Sequence, residues 1–298
     1  MRSLTRKAVL PLIRLALRED SASRDLTSLA LFPAQTRIRA RLVAKERGFL
    51  AGAPVAAWIF HAVDPSLRCT LKCHDGALLT KGKTILVVVG NARSILAAER
   101  VALNMLGHLC GIATLTRQFV QQTRGTRAKI FDTRKTLPGL RMLEKYAVRI
   151  GGGHNHRMGL RDAILIKTNH LRALGRREFG VWSSEFGMVV QSAIKRAKGL
   201  RPKKFVEVEV ATLKEYKAAL VARPDAILLD NWSLQQIRKA VLLRNSVLRT
   251  PHSALILEVS GGVTLANVRA IARTGVERIS IGRLTHSAPA LNVSLKVV

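Results

Sequence analysis

The second half of the chain alternates short apolar runs with helical segments, and nearly every apolar run ends in a polar side chain. Strands that alternate with helices of about ten to fifteen residues, joined by short loops, indicate serial β-α units and a parallel sheet. A series of such units favours a barrel related to the eight-stranded α/β barrel. The predicted strands are Lys129 to Phe131, Ala163 to Ile166, Phe205 to Val210, Ala226 to Leu229, Ala254 to Leu257 and Arg278 to Ile281. The predicted helices between them include Ser183 to Lys198, Thr212 to Ala222, Ser233 to Leu243 and Thr264 to Arg273.

In the N-terminal third, strand-like and helical segments do not alternate regularly as they do in the second half, which indicates a separate domain. It mixes strand-like runs at Arg37 to Ala44 and Thr84 to Val89 with a helical pattern at Ala92 to Leu109. No low-complexity linker separates the two regions, so the predicted boundary lies near Gly111. We therefore expect a first domain at 1–111, a second at 112–286, and a last segment, 287–298, that returns to the first.

Composition excludes several classes of protein. Of the 298 residues 48% are apolar, which is enough for a real core and argues against disorder despite a net charge of +31. No stretch of about 18 consecutive apolar residues predicts a membrane span. Three cysteines are an odd number for a disulfide framework, so a reducing compartment, the cytoplasm, is expected.

The first 18 residues carry basic side chains and no acid, and two interpretations stay open. Such a composition is typical of a transit peptide. It also suits an amphipathic helix, because Leu4, Leu10, Ile13 and Leu17 would share one face, and we favour the helix.

Polar residues at strand ends are the best candidates for a site, because α/β barrels build their chemistry at the carboxyl ends of the strands. Asp132, Lys167 and Asp230 each follow or end an apolar run. Glu207 and Glu209 are two apart in one strand and point to the same side. Two acids facing a barrel interior require cations or hydroxyls as partners.

Two glycine-containing loops suggest anion binding. Residues 151–157 read GGGHNHR, where glycines allow close backbone approach and arginine matches a carboxylate or phosphate. Ser260, Gly261 and Gly262 follow a late strand and precede a helix, the usual place for a phosphate in barrels, and Gly282 would complete that site. No activated nucleophile is evident. Metal binding by His154 with His156, or by Cys69, Cys73 and His74, is the alternative to ordinary structural roles.

These motifs together resemble the quinolinate phosphoribosyltransferase family, also called nicotinate-nucleotide pyrophosphorylase (carboxylating). The resemblance implies an N-terminal α/β sandwich domain and an incomplete, TIM-like α/β barrel, assembled as a homodimer. It also implies transfer of phosphoribosyl from phosphoribosyl pyrophosphate to quinolinate with Mg²⁺, giving nicotinate mononucleotide, pyrophosphate and CO₂. The matching stretches are 98–116 (AERVALN and GIATLT), 132–160, 165–170, 206–210, 227–231 and 260–291 (SGGVTLANV and ISIGRLTHSAPAL).

The resemblance also implies roles for single residues. Catalytic roles fall on Lys135, Lys167, Glu209 and Asp230, and the last two would hold the ribose hydroxyls and Mg²⁺, directly or indirectly. Arg100 would reach into the neighbouring subunit's site. The implied substrate-binding set is Arg100, Arg134, Lys135, Thr136, His156, Arg157, Lys167, Glu209, Asp230, Ser260, Gly261, Gly262, Ile281, Gly282 and Arg283.

The chain departs from the family pattern at two notable places. Thr168 stands where the family usually has Asp, and residues 22–25 (ASRD) replace a Gly-x-Gly-Asp pattern. Two alternatives to the leading function stay open. One is a family member with another substrate, as in the molybdenum-operon relative. The other is a polyanion-binding protein on this scaffold, suggested by basic segments at 195–204 and 238–249, whose contact with polyanions would be nonspecific.

Overall fold

The computed structural model describes residues 4–178, 186–248 and 255–298. The chain divides into two compact units. The first comprises Met1–Arg117, Lys135–Gly153 and Arg283–Val298, and the second comprises Gln118–Arg134 and His154–Gly282. The segment 135–153 thus groups with the first unit, whereas the sequence analysis assigned it to the barrel domain; the predicted domain limits themselves stay a prediction.

The elements follow one another in mixed α/β order. The helices are α1 (Arg6–Glu19), α2 (Leu26–Leu31), α3 (Ala53–Val63), α4 (Ala92–Gln122), α5 (Arg141–Ile150), α6 (Thr168–Glu178), α7 (Phe186–Gly199), α8 (Leu213–Ala222), α9 (Leu234–Leu248), α10 (Val268–Ala272) and α11 (Arg283–His286), with a 3₁₀ turn at Ala22–Arg24. The strands are β1 (Arg37–Ala44), β2 (Gly48–Phe49), β3 (Arg68–Leu71), β4 (Leu78–Leu79), β5 (Thr84–Asn91), β6 (Lys129–Phe131), β7 (Ile164–Ile166), β8 (Val206–Val210), β9 (Ala226–Asp230), β10 (Ile256–Ser260), β11 (Arg278–Ser280) and β12 (Val293–Val297).

The first unit contains a four-stranded sheet in the order β12-β1-β5-β3. All three pairings are antiparallel, and β12 brings residues 293–297 back beside residues 40–44. Along β1, buried Ala40 and Leu42 alternate with exposed Arg39 and Arg41, so one face of the sheet is apolar and the other is charged. The apolar face belongs to the core of this unit together with buried side chains of α3 such as Phe60.

The second unit contains six parallel strands in the order β6-β11-β10-β9-β8-β7. From β7 to β11 each strand pairs with the next one in the chain, and β6 pairs with β11. This is the strand order of a barrel that is open between β6 and β7. The predicted α/β barrel is therefore confirmed, as is the α/β sheet domain that precedes it.

Helix α4 is much longer than the predicted helix, because it continues from Leu109 to Gln122. By length and composition alone it could cross a membrane, and it is the one such helix in the described part of the chain. Of its most apolar stretch, 67% is buried inside the protein. Its glycines explain part of this burial: a Cβ on Gly111 would lie 2.0 Å from the carbonyl oxygen of Pro289.

Two predicted boundaries are wrong for identifiable reasons. Strand β10 continues to Ser260, because it pairs with β9 and β11 up to that residue; the start of the predicted strand, residue 254, lies outside the described residues, as do residues 183–185 of a predicted helix. Helix α10 begins only at Val268 because the Asn267 side chain holds the preceding loop. Its Oδ1 accepts from the Thr264 amide at 2.8 Å, and its Nδ2 donates to the Gly262 carbonyl at 2.9 Å.

Candidate active site

The carboxyl ends of the six parallel strands meet at one edge of the second unit. In register, Asp230 lies opposite Ser260, Ser260 opposite Ser280, and Ser280 opposite Phe131, so four strands end at the same level. Most of the predicted site residues lie at this edge or in segments that follow these strands: Arg134, His156, Arg157, Lys167, Glu209, Asp230, Ser260, Gly261, Gly262, Ile281 and Gly282.

One pair at this edge joins β7 to β8. The Lys167 Nζ lies 3.1 Å from the Glu209 Oε2, and the side chains are 50% and 12% exposed. The Glu209 Oε1 accepts from both the amide and the hydroxyl of Thr168, at 3.2 and 3.0 Å. Burial opposes ionisation of Glu209, but the hydrogen bonds from Thr168 and Lys167 outweigh it, so the pKa of Glu209 lies below its usual value. Thr168, the departure from the family pattern, therefore supports an ionised Glu209.

The loop that carries His156 and Arg157 is tied to the end of β6 by Asp132. This fully buried carboxylate accepts from the His156 amide at 2.8 Å and from the Asn155 side-chain amide. The His156 Nδ1 accepts from the Arg157 amide at 2.8 Å, which leaves the ring proton on Nε2. That Nε2 donates to the Glu207 Oε2 at 2.9 Å.

Two arginines near this loop indicate an anion site. The Arg157 guanidinium donates to the Ala163 carbonyl at 3.0 Å. Burial, and then repulsion from Arg134, lower the pKa of Arg157. Because arginine stays charged in proteins, two guanidiniums held in each other's field are most stable when an anion such as a carboxylate lies between them.

A buried acid pair lies inside the barrel at Glu207 and Glu258, which are 1% and 0% exposed. Glu258 accepts from the Ser280 hydroxyl, and its Oε1 and Oε2 lie 3.5 Å from the His156 Nε2 and 3.8 Å from an Arg278 Nη1. Desolvation raises the pKa of both carboxyls. Among the described residues, these two acids and His156 are the group whose donor atoms are close enough to hold a metal, within 4.8 Å of one another.

The loop after β10 has the shape expected of an anion cradle. Gly261 has a φ of +87°, and a Cβ there would meet the Asn231 Oδ1 at 2.1 Å. Gly262 has a φ of +63°, but a Cβ there would meet nothing within 4 Å. Next to this loop a cleft of about 370 Å³ opens between the segments that precede α9 and α10. Only glycine therefore fits at 261, where the chain passes against Asn231.

Four predicted residues lie in the first unit and are described there. Arg100 is exposed on α4, and Arg283 begins α11. The Lys135 carbonyl accepts from the Thr285 hydroxyl at 2.6 Å, and the Thr136 hydroxyl accepts from the Arg141 Nε at 3.0 Å.

The structure gives further contacts of Ile281 and of the glycine loop at 151–153. The Ile281 side chain is 2% exposed and its amide donates to the Phe131 carbonyl at 2.9 Å, so neither the side chain nor the amide is available to a ligand. The close approach that Gly151 permits is to helix α4, because a Cβ there would lie 2.6 Å from the Ala113 oxygen. Gly151 thus has a packing role, and the approach of this loop to a ligand stays a prediction.

The alternative metal ligands do not form a cluster in the described residues. His154 stacks on Phe131 with ring centroids 5.3 Å apart and is not part of the group that contains His156. The Cys73 thiol donates to the Thr84 carbonyl at 3.4 Å, and both Cys69 and Cys73 are free thiols.

The sequence analysis places Glu207 beside Glu209 on one side of a strand but assigns neither Glu207 nor Glu258 to the site, and Ser280 and Arg278 are also absent from its site residues. The signal was present: β8 and β10 each contain an acid inside a mostly apolar strand, Glu207 and Glu258. Because the predicted strand ends at Leu257, Glu258 lies beyond it, and the prediction does not identify Glu258 as an inward-facing residue of β10.

An incomplete α/β barrel whose strand ends present cations, carboxylates and a glycine loop defines an enzyme for anionic substrates. Comparison with known families identifies which one. Residues 25–110 match the quinolinate phosphoribosyl transferase N-terminal domain, and residues 112–296 match the C-terminal domain of the same family. The chain belongs to the quinolinate phosphoribosyl transferase family.

Individual relatives agree over nearly the whole chain. The nicotinate-nucleotide pyrophosphorylase (carboxylating) of Mycobacterium leprae is 42% identical over 286 residues, which cover 95% of each protein. The chloroplastic protein of that name from Arabidopsis thaliana is 40% identical, covering 96% of this chain and 81% of its own. The crystal structure of NadC from Streptococcus pyogenes, at 39% identity, has a TM-score of 0.88 and covers 100% of this chain and 99% of its own. The family resemblance inferred from the sequence is confirmed.

Proposed function

We propose that the protein is a nicotinate-nucleotide diphosphorylase (carboxylating) of NAD biosynthesis. It transfers phosphoribosyl from phosphoribosyl pyrophosphate to quinolinate and releases pyrophosphate and CO₂. The observation that carries this proposal is the single strand-end edge in which the Arg134, Arg157 and Lys167 cations and His156 lie with the Glu209 and Asp230 carboxylates and the loop at 260–262. Cations suit the two carboxylates of quinolinate, and the acids suit the ribose hydroxyls.

The transfer step needs no protein nucleophile. The lone pair of the pyridine nitrogen forms the new bond to C1 of the ribosyl group while the bond from C1 to the pyrophosphate oxygen breaks. The transition state is oxocarbenium-like, so a carboxylate near the sugar and cations near the leaving group both lower the barrier. Glu209, held ionised by Lys167 and Thr168, supplies the first requirement.

Decarboxylation follows from the positive charge left on the ring nitrogen. The carboxylate next to that nitrogen leaves as CO₂, its electron pair passes to the ring carbon, and a proton from solvent replaces it. Arg157 and Lys167 orient the two carboxylates, and neighbouring positive charge stabilises electron density on the ring.

Mg²⁺ is the proposed cofactor, and its fit can be judged from the acids present. Both oxygens of Glu209 already interact with Lys167 or Thr168, and Asp230 accepts from the Asn231 side chain at 3.2 Å. This arrangement suits an Mg²⁺ ion that keeps its waters and binds mainly to the substrate's phosphates. When bound there, the ion would neutralise the departing pyrophosphate.

The central test is an assay with purified protein, quinolinate, phosphoribosyl pyrophosphate and Mg²⁺. We expect nicotinate mononucleotide, pyrophosphate and CO₂ in equal amounts, and no product when nicotinate replaces quinolinate. K167A and E209Q should lose most activity, whereas K203A, at an exposed lysine away from the strand ends, should keep it. Binding of both substrates without turnover would refute the proposal, and turnover of a different pyridine acid would favour the family member with another substrate.

The proposed assembly is a homodimer in which Arg100 serves the partner subunit's site. Mixing inactive R100A and K167A proteins tests this, because each mixed dimer contains one site with both defects and one with neither. After subunit exchange at equal concentrations we expect about a quarter of the wild-type activity. No recovery, with mixed dimers present by mass spectrometry, would show that Arg100 does not act across subunits.

The cytoplasm is the proposed location. The three cysteines are free thiols, and Cys110 is fully buried with its pKa raised by burial to about 12, so it has little tendency to form a disulfide. Fractionation of source cells with an activity assay on each fraction tests this proposal, and activity confined to an organelle or a membrane pellet would contradict it.

A further inference from the structure

One face of the four-stranded sheet in the first unit carries a dense set of cations that the proposed reaction does not use. We call it the arginine face. Same-face positions follow from the register, in which Arg39 lies opposite Val89 and Val89 opposite Arg68, while Arg41 lies opposite Lys296. Its six cations, all exposed, are Arg37, Arg39, Arg41, Arg68, Lys72 and Lys296.

The arginine face is concave at its centre. A groove of about 470 Å³ is lined by Arg39, Arg41 and Lys72, with Val87 and Thr84 among its other lining residues. Val87 is only 7% exposed, so a small apolar side chain lies beneath long cationic ones. Successive cations on β1 are two residues apart, which is about 6.8 Å along the strand. The cations therefore form a regular row above a shallow floor.

The charge of this face is little neutralised by the protein itself. Within the described residues, none of the six cations forms an ion pair with a carboxylate. Asp64 is the nearby acid: its pKa is lowered mainly by a hydrogen bond from Ser66 and to a smaller extent by Arg37. Like charges at this density repel one another, and a bound polyanion would remove that repulsion.

We propose that the arginine face binds the phosphodiester backbone of single-stranded RNA or DNA. The row of guanidiniums suits a linear chain of phosphates, because each presents a planar fork of donors. The face carries no aromatic side chain at its strand positions, so binding rests on the backbone and has no base preference. A membrane surface is disfavoured, because the strand positions of the face carry no aromatic side chain, and the exposed apolar side chain that lines its groove is the short Val298.

The test compares two variants that lose the same charge. R39Q/R41Q/K72Q removes three cations from the groove, and K195Q/K203Q/K204Q removes three exposed lysines of the second unit. Fluorescence anisotropy with labelled oligouridylate and oligothymidylate would be measured from about 50 to about 200 mM salt. For three lost phosphate contacts on a single strand, the slope of log K against log salt should become shallower by about 2 in the groove variant.

The control variant should keep the wild-type slope, and R39K/R41K/K72R, which keeps the charge, should keep most of the affinity. All variants should retain nicotinate mononucleotide formation, which reports correct folding. Equal loss of binding in both triple-glutamine variants would overturn the proposal, because net charge alone would then explain binding. So would binding to phosphatidylserine vesicles without binding to either oligonucleotide. A difference between the RNA and DNA arms identifies which nucleic acid is preferred.

Discussion

The contact of Thr168 with Glu209 gives a single hydroxyl a measurable role. The Thr168 Oγ1 donates to the Glu209 Oε1 at 3.0 Å, and the Thr168 backbone amide donates to the same oxygen at 3.2 Å. Hydrogen bonds to charged groups contribute about 1.5 to 3 kcal/mol, so T168V should lower kcat/KM by about tenfold or more. T168S, which keeps the hydroxyl, should remain within about threefold of wild type on the same scale. Steady-state kinetics with both substrates measures this, and equal rates for T168V and T168S would contradict it.

Glu258 predicts a pH dependence of stability. Burial, and then the neighbouring Glu207, raise its pKa above the usual 4.5. Between the usual pKa of 4.5 and the raised pKa of about 8, folded Glu258 keeps a proton that the unfolded chain has lost. The free energy of unfolding therefore falls as pH rises through this range. For one such group the slope is at most about 1.4 kcal/mol per pH unit.

E258Q should therefore be close to wild type in stability at pH 5 and more stable than wild type at pH 8. Urea unfolding at both pH values measures the change, with the exposed-site variant E19Q as control. A wild-type protein whose unfolding free energy rises through this range, or an E258Q variant that keeps the full slope, would contradict the assignment.

At the residue scale, sequence reasoning reached the charged groups but not their partners. Lys167 and Glu209 stand at strand ends and could be read from the apolar runs before them. The hydrogen bond from the His156 Nε2 to Glu207 could not be predicted from the sequence, because the two residues are 51 positions apart and are brought together only by the order of the strands. The positions of such pairs depend on register, which a single strand's pattern does not specify.

At the element scale, the loop after β10 contrasts two neighbouring glycines. G261A adds a Cβ 2.1 Å from the Asn231 Oδ1 at a φ of +87°, whereas at Gly262 a Cβ meets nothing within 4 Å. G262A should cost only the left-handed strain of about 1 to 2 kcal/mol. G261A should lose the same stability to left-handed strain and should also displace the Asn231 side chain. The KM for phosphoribosyl pyrophosphate should therefore rise by more in G261A than in G262A. Thermal unfolding and KM for the two variants would decide, and equal effects would contradict the steric explanation.

Element limits were predictable where apolar periodicity decides them. The limits of β1 and β6 agree with the sequence prediction, and β8 differs by one residue. The limits of α10 and β10 were not predictable in this way, because a side chain, Asn267, and pairing to two neighbouring strands fix them. Such tertiary contacts override local propensity.

At the scale of the whole molecule, the last strand belongs to the first sheet. β12 pairs with β1 through five residue pairs, from Ala40 with Val297 to Ala44 with Val293. Deleting 293–298 should lower the free energy of unfolding by about 2 to 4 kcal/mol, because several net hydrogen bonds of about 1 kcal/mol each are lost. Deleting only Val298 should change it little. Urea unfolding measures both, and equal stability of the longer deletion and wild type would contradict this prediction.

The net charge of +31 divides among different parts of the molecule. A few cations at the strand ends match anionic substrates, and six more form the arginine face. The basic segments that the sequence itself displays lie at 195–204 and 238–249, of which residue 249 lies outside the described residues. The row on β1 was missed because strand alternation distributes its arginines among apolar residues, so no run of like charge appears.

The pairing of β6 with β11 has a consequence for synthesis on the ribosome. Residues 129–131 find their sheet partner only at residues 278–280, although β7 to β10 lie between them in the chain. At about 5 to 20 residues per second, this strand waits roughly 7 to 30 s for its partner to be made. The first strand of the nascent barrel therefore pairs last, after β11 has been made. Chaperone protection of β6 would matter most while the final quarter of the chain is still being translated.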